Sequence, residues 1–137
     1  MKIYFAGSIR GGRDDREFYG EIIELLKGYG EVLTEHIGDK TLSALGEDGL
    51  TDKDIYERDM AWLEAADAVV AEVTTPSLGV GYEIAKAEVN KPVLCLYREQ
   101  EGRRLSAMIG GSRVRVERYQ NIQDVEKIVK DFLASVY

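Results

Sequence analysis

Two short stretches of this chain concentrate the residue types that do chemistry. Tyr4-Phe5-Ala6-Gly7-Ser8-Ile9-Arg10-Gly11-Gly12-Arg13 and Thr74-Thr75-Pro76-Ser77-Leu78-Gly79-Val80-Gly81-Tyr82-Glu83 each follow an apolar run, mix Gly with hydroxyls and lead toward a helical pattern. An α/β sheet builds a phosphate site in this way, because a helix N-terminus presents N–H groups and glycine lets the backbone approach the ligand. Ser8 with Arg10 supplies a hydroxyl and a guanidinium two residues apart, a pair suited to a phosphate monoester. Ser77 with the N–H groups near Gly79 supplies a second donor set. On residue type alone the same features also describe a tight turn capped by Ser8 and a plain helix N-cap at Ser77, and the latter is compatible with phosphate binding. The glycine spacing matches neither a Walker loop nor a dinucleotide fingerprint, which removes support for ATP hydrolysis and NAD chemistry.

Glu83 brings a carboxylate to the second stretch, in the first turns of the expected helix, where the positive end of the dipole favours the ionised form needed by a nucleophile. Asp59 lies in Glu57-Arg58-Asp59-Met60-Ala61-Trp62. If Met60 and Trp62 desolvate it, it becomes a proton donor, and two carboxylates in opposite protonation states are what glycosidic cleavage requires. The alternative is a solvated residue on a charged helix. Tyr4 sits in an otherwise apolar strand, so its hydroxyl either finds a core partner or points into the crevice to orient Glu83. His36, the only histidine, either contacts a ligand's base or lies in a surface loop. With Cys95 the only cysteine, the sequence shows no His/Cys cluster for a metal, and no cofactor is expected.

These residues need a scaffold, and the pattern of apolar periods supplies one. Strands are expected at 2–6, 31–34, 68–73 and 92–97, with a weak edge strand around Val114 and Val116. Helices are expected after Asp14 or Asp15, over 54–65, over 79–89, and at the C-terminal end, where Ile122, Val125, Ile128, Val129, Phe132, Leu133 and Val136 form one stripe. Gly28 and Gly30 end the first helix, and 38–52, acidic with three glycines, reads as a loop or lid. Alternating strands and helices predict a single α/β domain over 1–137: a Rossmann-like three-layer sandwich on a five-stranded, mostly parallel sheet of order 2-1-3-4-5. In that order the crevice lies where strands 1 and 3 diverge, and both stretches emerge there.

The 137 residues are 45% hydrophobic and 31% charged, with 25 acidic against 18 basic residues and a net charge of −7. That balance argues against a nucleic-acid polymer as partner but not against a mononucleotide. No apolar stretch approaches the roughly 20 residues of a membrane span, and no basic, apolar leader precedes the first strand. A reducing cytoplasm is the expected location, with Cys95 a small core residue.

The two stretches, together with Leu33-Thr34-Glu35-His36, Asp67 with Val69-Val70-Ala71-Glu72-Val73, and Leu105-Ser106-Ala107-Met108-Ile109, closely resemble the 2′-deoxynucleoside 5′-monophosphate N-glycosidase family of the nucleoside 2-deoxyribosyltransferase superfamily. The resemblance runs from Ile3 to about Ile109. It implies a flavodoxin-like homodimer that cleaves a deoxynucleotide into free base and 2-deoxyribose 5-phosphate. Glu83 would be the nucleophile at C1′, Tyr4 the hydroxyl that orients it, and Asp59 the acid assisting the leaving base. Ser8, Arg10, Ser77 and Gly79 would hold the phosphate, Ser106 would reach it from the neighbouring subunit, and Ile9 and His36 would contact the base. Relatives that move deoxyribose between bases carry an acidic residue at the position of Ser77, where it would repel a phosphate, so Ser77 favours nucleotide over nucleoside. Two alternatives stand beside hydrolysis: deoxyribosyl transfer to a second base, and a nucleotide-binding module without chemistry, for which Tyr4, Asp59 and Glu83 would be unnecessary.

Overall fold

In the computed structural model, residues 1–8, 15–34 and 49–137 are described. Five strands, β1 (Lys2–Ala6), β2 (Glu31–Val32), β3 (Ala68–Glu72), β4 (Val93–Arg98) and β5 (Arg115–Tyr119), form one sheet in the order β2-β1-β3-β4-β5. Every neighbouring pair is parallel. β1 and β3, the expected divergence point, are adjacent, with Tyr4 opposite Val69 and Ala6 opposite Ala71.

The period of two along each strand divides the core into two layers. Ile3, Phe5, Ala68, Val70, Leu94 and Leu96 face helices α1 (Arg16–Lys27) and α5 (Ile122–Val136), whose Ile22, Leu26, Val125 and Val129 meet them. Tyr4, Ala6, Val69, Ala71, Val93 and Cys95 face α2 (Asp52–Ala65) and α3 (Leu78–Ala87) through Leu63, Val80, Ile84 and Ala87. Cys95 is fully buried, and burial with the nearby Glu88 charge pushes its thiol up to about 12, so it stays protonated as a small core residue. The short α4 (Ala107–Gly110) follows β4.

The differences from the sequence expectation are local. β2 keeps only two residues, because Thr34 turns its hydroxyl onto β1 instead: its Oγ1 donates to the Phe5 carbonyl at 2.6 Å and accepts the Phe5 N–H at 2.8 Å. α2 begins two residues before 54, since Thr51 caps it with a capping box in which Thr51 Oγ1 accepts Asp54 N–H and Asp54 accepts Thr51 N–H. Asp15 occupies the N-cap position of α1 but makes no side-chain cap bond. Arg98, expected to open a polar loop, is the last residue of β4. Most of the expected lid, together with the first expected cap candidate Asp14, lies outside the described residues. Among the described residues no helix is long and apolar enough to cross a membrane.

Candidate active site

Tyr4, Asp59 and Glu83 come from β1, α2 and α3, and the fold brings them to one place. The Tyr4 hydroxyl is buried and has no hydrogen-bond partner of good geometry. Its pKa is raised first by burial, then by the negative charges of Glu83 and Asp59, with the close approach of the Glu83 carboxylate adding to the shift; Arg58 opposes it. One phenol therefore feels both carboxylates and stays protonated at neutral pH, an O–H donor beside Glu83.

Glu83 is half-buried on α3 and lies beyond the first turn, which contains no acidic residue. The macrodipole field fades within that turn, so the expected dipole argument for Glu83 is weaker than its spacing implied. The hydroxyl of Tyr4 is the closer influence. Asp59 is 18% exposed and paired with Arg58, whose Nη2 and Nε lie 2.9 and 3.0 Å from Asp59 Oδ1. The Arg58 guanidinium in turn sits 4.8 Å from the Trp62 ring centroid. The sequence expectation placed Trp62 and Met60 as the desolvating neighbours of Asp59 and passed over Arg58, although adjacency in sequence was the available signal. The helices that carry the two carboxylates also meet at Tyr56, one turn before Asp59, and Tyr82, the residue before Glu83, edge-on at 6.1 Å with hydroxyls 3.4 Å apart.

Ser77 is the N-cap of α3, its Oγ accepting the Val80 N–H at 3.3 Å. That bond uses an acceptor lone pair and leaves the hydroxyl proton to donate elsewhere. A Cβ built on Gly79 would meet only Ser77 Oγ, at 3.8 Å, and one on Gly81 would meet nothing within 4 Å. Glycine inside a helix costs about 1 kcal/mol relative to alanine. Since the chain's own packing does not require these two glycines, they leave open space at the helix start. Ser8 is fully buried, its N–H donating to Tyr19 Oη at 3.1 Å and its Oγ without a partner. Ile9, Arg10 and His36 lie outside the described residues.

Ser106 is exposed at the start of α4 and makes no cap bond. It lines a groove with Ser77, Leu78, Gly81, Met108 and Ile109. Leu78 and Met108 are 97% and 83% exposed, an unusual state for apolar side chains beside two serines.

Sequence reasoning also missed Glu72, hidden at the end of the most apolar strand, with its carboxylate fully buried. It accepts the Thr74 N–H at 2.6 Å and the Thr74 hydroxyl at 2.9 Å, and it accepts the Tyr119 hydroxyl as well. A single carboxylate closing an apolar run was the visible signal.

Comparison with known proteins gives the family. The profile of the family described as nucleoside 2-deoxyribosyltransferase matches residues 3–124. The 5-hydroxymethyl-dUMP N-hydrolase of Mus musculus is 57% identical over 112 residues, covering 80% of this chain but 65% of the mouse protein. A putative 2′-deoxynucleoside 5′-phosphate N-hydrolase 1 of Trichoplax adhaerens is 51% identical over 139 residues, covering 98% of this chain and 94% of that protein. The structure of a Clostridium botulinum CMP N-glycosidase shares the fold with a TM-score of 0.64 at 17% identity, covering 96% of this chain and 99% of that one. On the family match and on identities above one half, this chain belongs to the nucleoside 2-deoxyribosyltransferase family.

Proposed function

We propose that the protein hydrolyses the N-glycosidic bond of 2′-deoxynucleoside 5′-monophosphates, giving free base and 2-deoxyribose 5-phosphate. The observation that carries the reading is the convergence of Tyr4, Glu83 and Asp59 from three elements onto one buried phenol. A binding module has no use for that arrangement. The names of the mouse and Trichoplax relatives support the same reaction class.

In this scheme a Glu83 oxygen bonds to C1′ as the C1′–N bond breaks, and the electron pair of that bond goes to the departing base. Tyr4 donates to Glu83 and holds its orientation. Asp59 gives a proton to the departing base, and Arg58 brings positive charge to the same side. Water then replaces Glu83 at C1′, its second proton passing back to Asp59, which frees the sugar phosphate and the Glu83 carboxylate. Ser8, Arg10, Ser77 and Gly79 anchor the 5′-phosphate, with Ile9 and His36 on the base. Anchoring the far end of the substrate lowers the entropic part of the barrier at C1′. The open space over Gly79 and Gly81 and the spare proton of Ser77 favour the phosphate assignment.

The protein acts as a cytoplasmic homodimer in this reading, a second copy covering the exposed Leu78 and Met108 and offering its Ser106 to the site across the interface. Incubation with dGMP, dCMP, dUMP and 5-hydroxymethyl-dUMP, followed by chromatography for released base, tests the activity. Intact nucleotide throughout, at high enzyme, overturns it. Formation of a new nucleotide in excess free base would instead assign transfer.

A further inference from the structure

On the α1/α5 side of the sheet, opposite the layer that holds Tyr4, lies a chain of polar contacts that the proposed chemistry does not use. Asp15 is the hub. One carboxylate oxygen pairs with the Arg98 guanidinium, and the other accepts the Thr75 hydroxyl at 2.8 Å. The Arg98 side chain reaches Tyr119 Oη at 3.4 Å, and the Arg98 N–H donates to Thr74 Oγ1 at 2.9 Å. Tyr119 and Thr74 both donate to Glu72. The Asp15 and Arg98 side chains are 4% and 12% exposed, and the guanidinium lies 4.0 Å from the Phe18 ring centroid.

We propose that Asp15, Thr75 and Arg98, backed by Tyr119, Glu72 and Thr74, are a positioning network that sets the spacing of the two phosphate-facing loops. The proposal rests on the reading that those loops hold the 5′-phosphate. Three features point to it. Asp15 stands where an N-cap would serve α1, yet its side chain makes no cap bond and reaches across 60 residues of sequence to Thr75. Thr75 lies two residues before Ser77, so the contact joins the end of the first loop to the second. Ser8 is held by Tyr19 through its N–H, so the two described residues that flank 9–14, Ser8 and Asp15, are each tied to the fold. Glu72 fixes both the N–H and the hydroxyl of Thr74, setting the direction in which the chain leaves β3. A fully apolar core would pack without any of these groups; their common effect is to lock two loop ends to each other.

The experiment compares wild type with Thr75→Val, Thr75→Ser and Asp15→Asn. Thr75→Val keeps the shape and removes the donor to Asp15; Thr75→Ser keeps the donor. Expected are a KM for the deoxynucleoside monophosphate raised about tenfold in Thr75→Val and Asp15→Asn with kcat within about twofold, and near wild-type KM in Thr75→Ser. The inhibition constant of inorganic phosphate should rise by the same factor as KM, while that of the free base stays constant. A purely structural role would move both constants together, and that result, or an unchanged KM, overturns the network. Thermal unfolding of each variant identifies one that fails to fold, and the half-buried Thr75 pair then carries the decision. A wild type that cleaves none of the nucleotides overturns the functional reading and this proposal with it, whereas an active wild type with indifferent variants overturns the network alone.

Discussion

The two sides of the sheet treat buried polar groups in opposite ways at the carboxyl ends of β1, β3 and β4. On the α1/α5 side, Glu72, Thr74, Asp15 and Tyr119 are buried and each has a partner. In the α2/α3 layer, Tyr4 has a buried hydroxyl with no hydrogen bond of good geometry, and Ser8, two residues past β1, has a buried Oγ with none. A buried polar group left unsatisfied costs about 1–3 kcal/mol, so native structures rarely retain one without compensation. On the proposed function, the satisfied side is a support and the unsatisfied side is where the substrate binds. Tyr97 is the third hydroxyl of the unsatisfied kind, beside the Arg118 guanidinium at the end of β4 and lining a cleft together with Ser106.

Substitutions on the two sides should therefore separate activity from stability. Glu83→Ala carries the largest expected effect, a fall in kcat on the order of 10⁴-fold read by base release, because it removes the group that bonds to C1′. Full activity in that variant would end the nucleophile assignment. Arg98→Met comes next on the opposite side. It strands the buried Asp15 carboxylate and should cost roughly 3–5 kcal/mol in denaturant unfolding, whereas a loss below about 1 kcal/mol would mean that the pair is not held as described.

The paired tyrosines make the sharpest contrast. Tyr4→Phe removes a hydroxyl that makes no hydrogen bond of good geometry, so stability should hold or rise by up to about 1 kcal/mol while kcat falls on the order of 10–100-fold. Tyr119→Phe removes a donor to a buried carboxylate and should lose about 1.5–3 kcal/mol, with kcat nearly retained. Equal stability losses in the two variants would erase the distinction between the sides.

The smallest effect is a pH slope. Burial raises the Glu72 pKa above 4.5, its ordinary value, although the Tyr119 and Thr74 hydrogen bonds oppose that shift. Above pH 4.5 the folded state then holds more proton than the unfolded chain, so this group's contribution to stability declines as pH rises through its folded pKa. Glu72→Gln should flatten that decline in unfolding free energy measured across the weakly acidic range. An identical slope in wild type and variant would remove Glu72 as its source.

How far the fold could be read in advance follows from how local each signal was. The apolar run ending in Val69-Val70-Ala71 and the C-terminal stripe through Val125, Val129 and Phe132 announced β3 and α5, since strand and helix periods are written in nearby residues. The strand order followed from chirality and alternation. Thr34 was misread as strand because its turn toward Phe5 depends on a residue 29 positions away. Asp15 reads as a candidate cap for the same reason: an aspartate before a helix is a cap by local rules, and only the approach of Arg98 and Thr75 draws its side chain elsewhere. Arg58 escaped notice because a charged residue on a charged helix looks solvated until the helix is docked and the guanidinium is found at Asp59.

The amino-acid order alone determined the α/β class, the glycine-and-hydroxyl stretch that opens α3, its capping serine and the family, because these depend on short-range pattern and on motif strings. Tertiary structure alone decided that one phenol feels two carboxylates, that the Ser8 and Tyr4 hydroxyls are buried without a hydrogen bond of good geometry while Glu72 and Asp15 are engaged, and that Leu78 and Met108 stand exposed beside Ser77 and Ser106. Burial and electrostatic neighbourhood depend on which distant elements pack together, and no window of sequence contains that information.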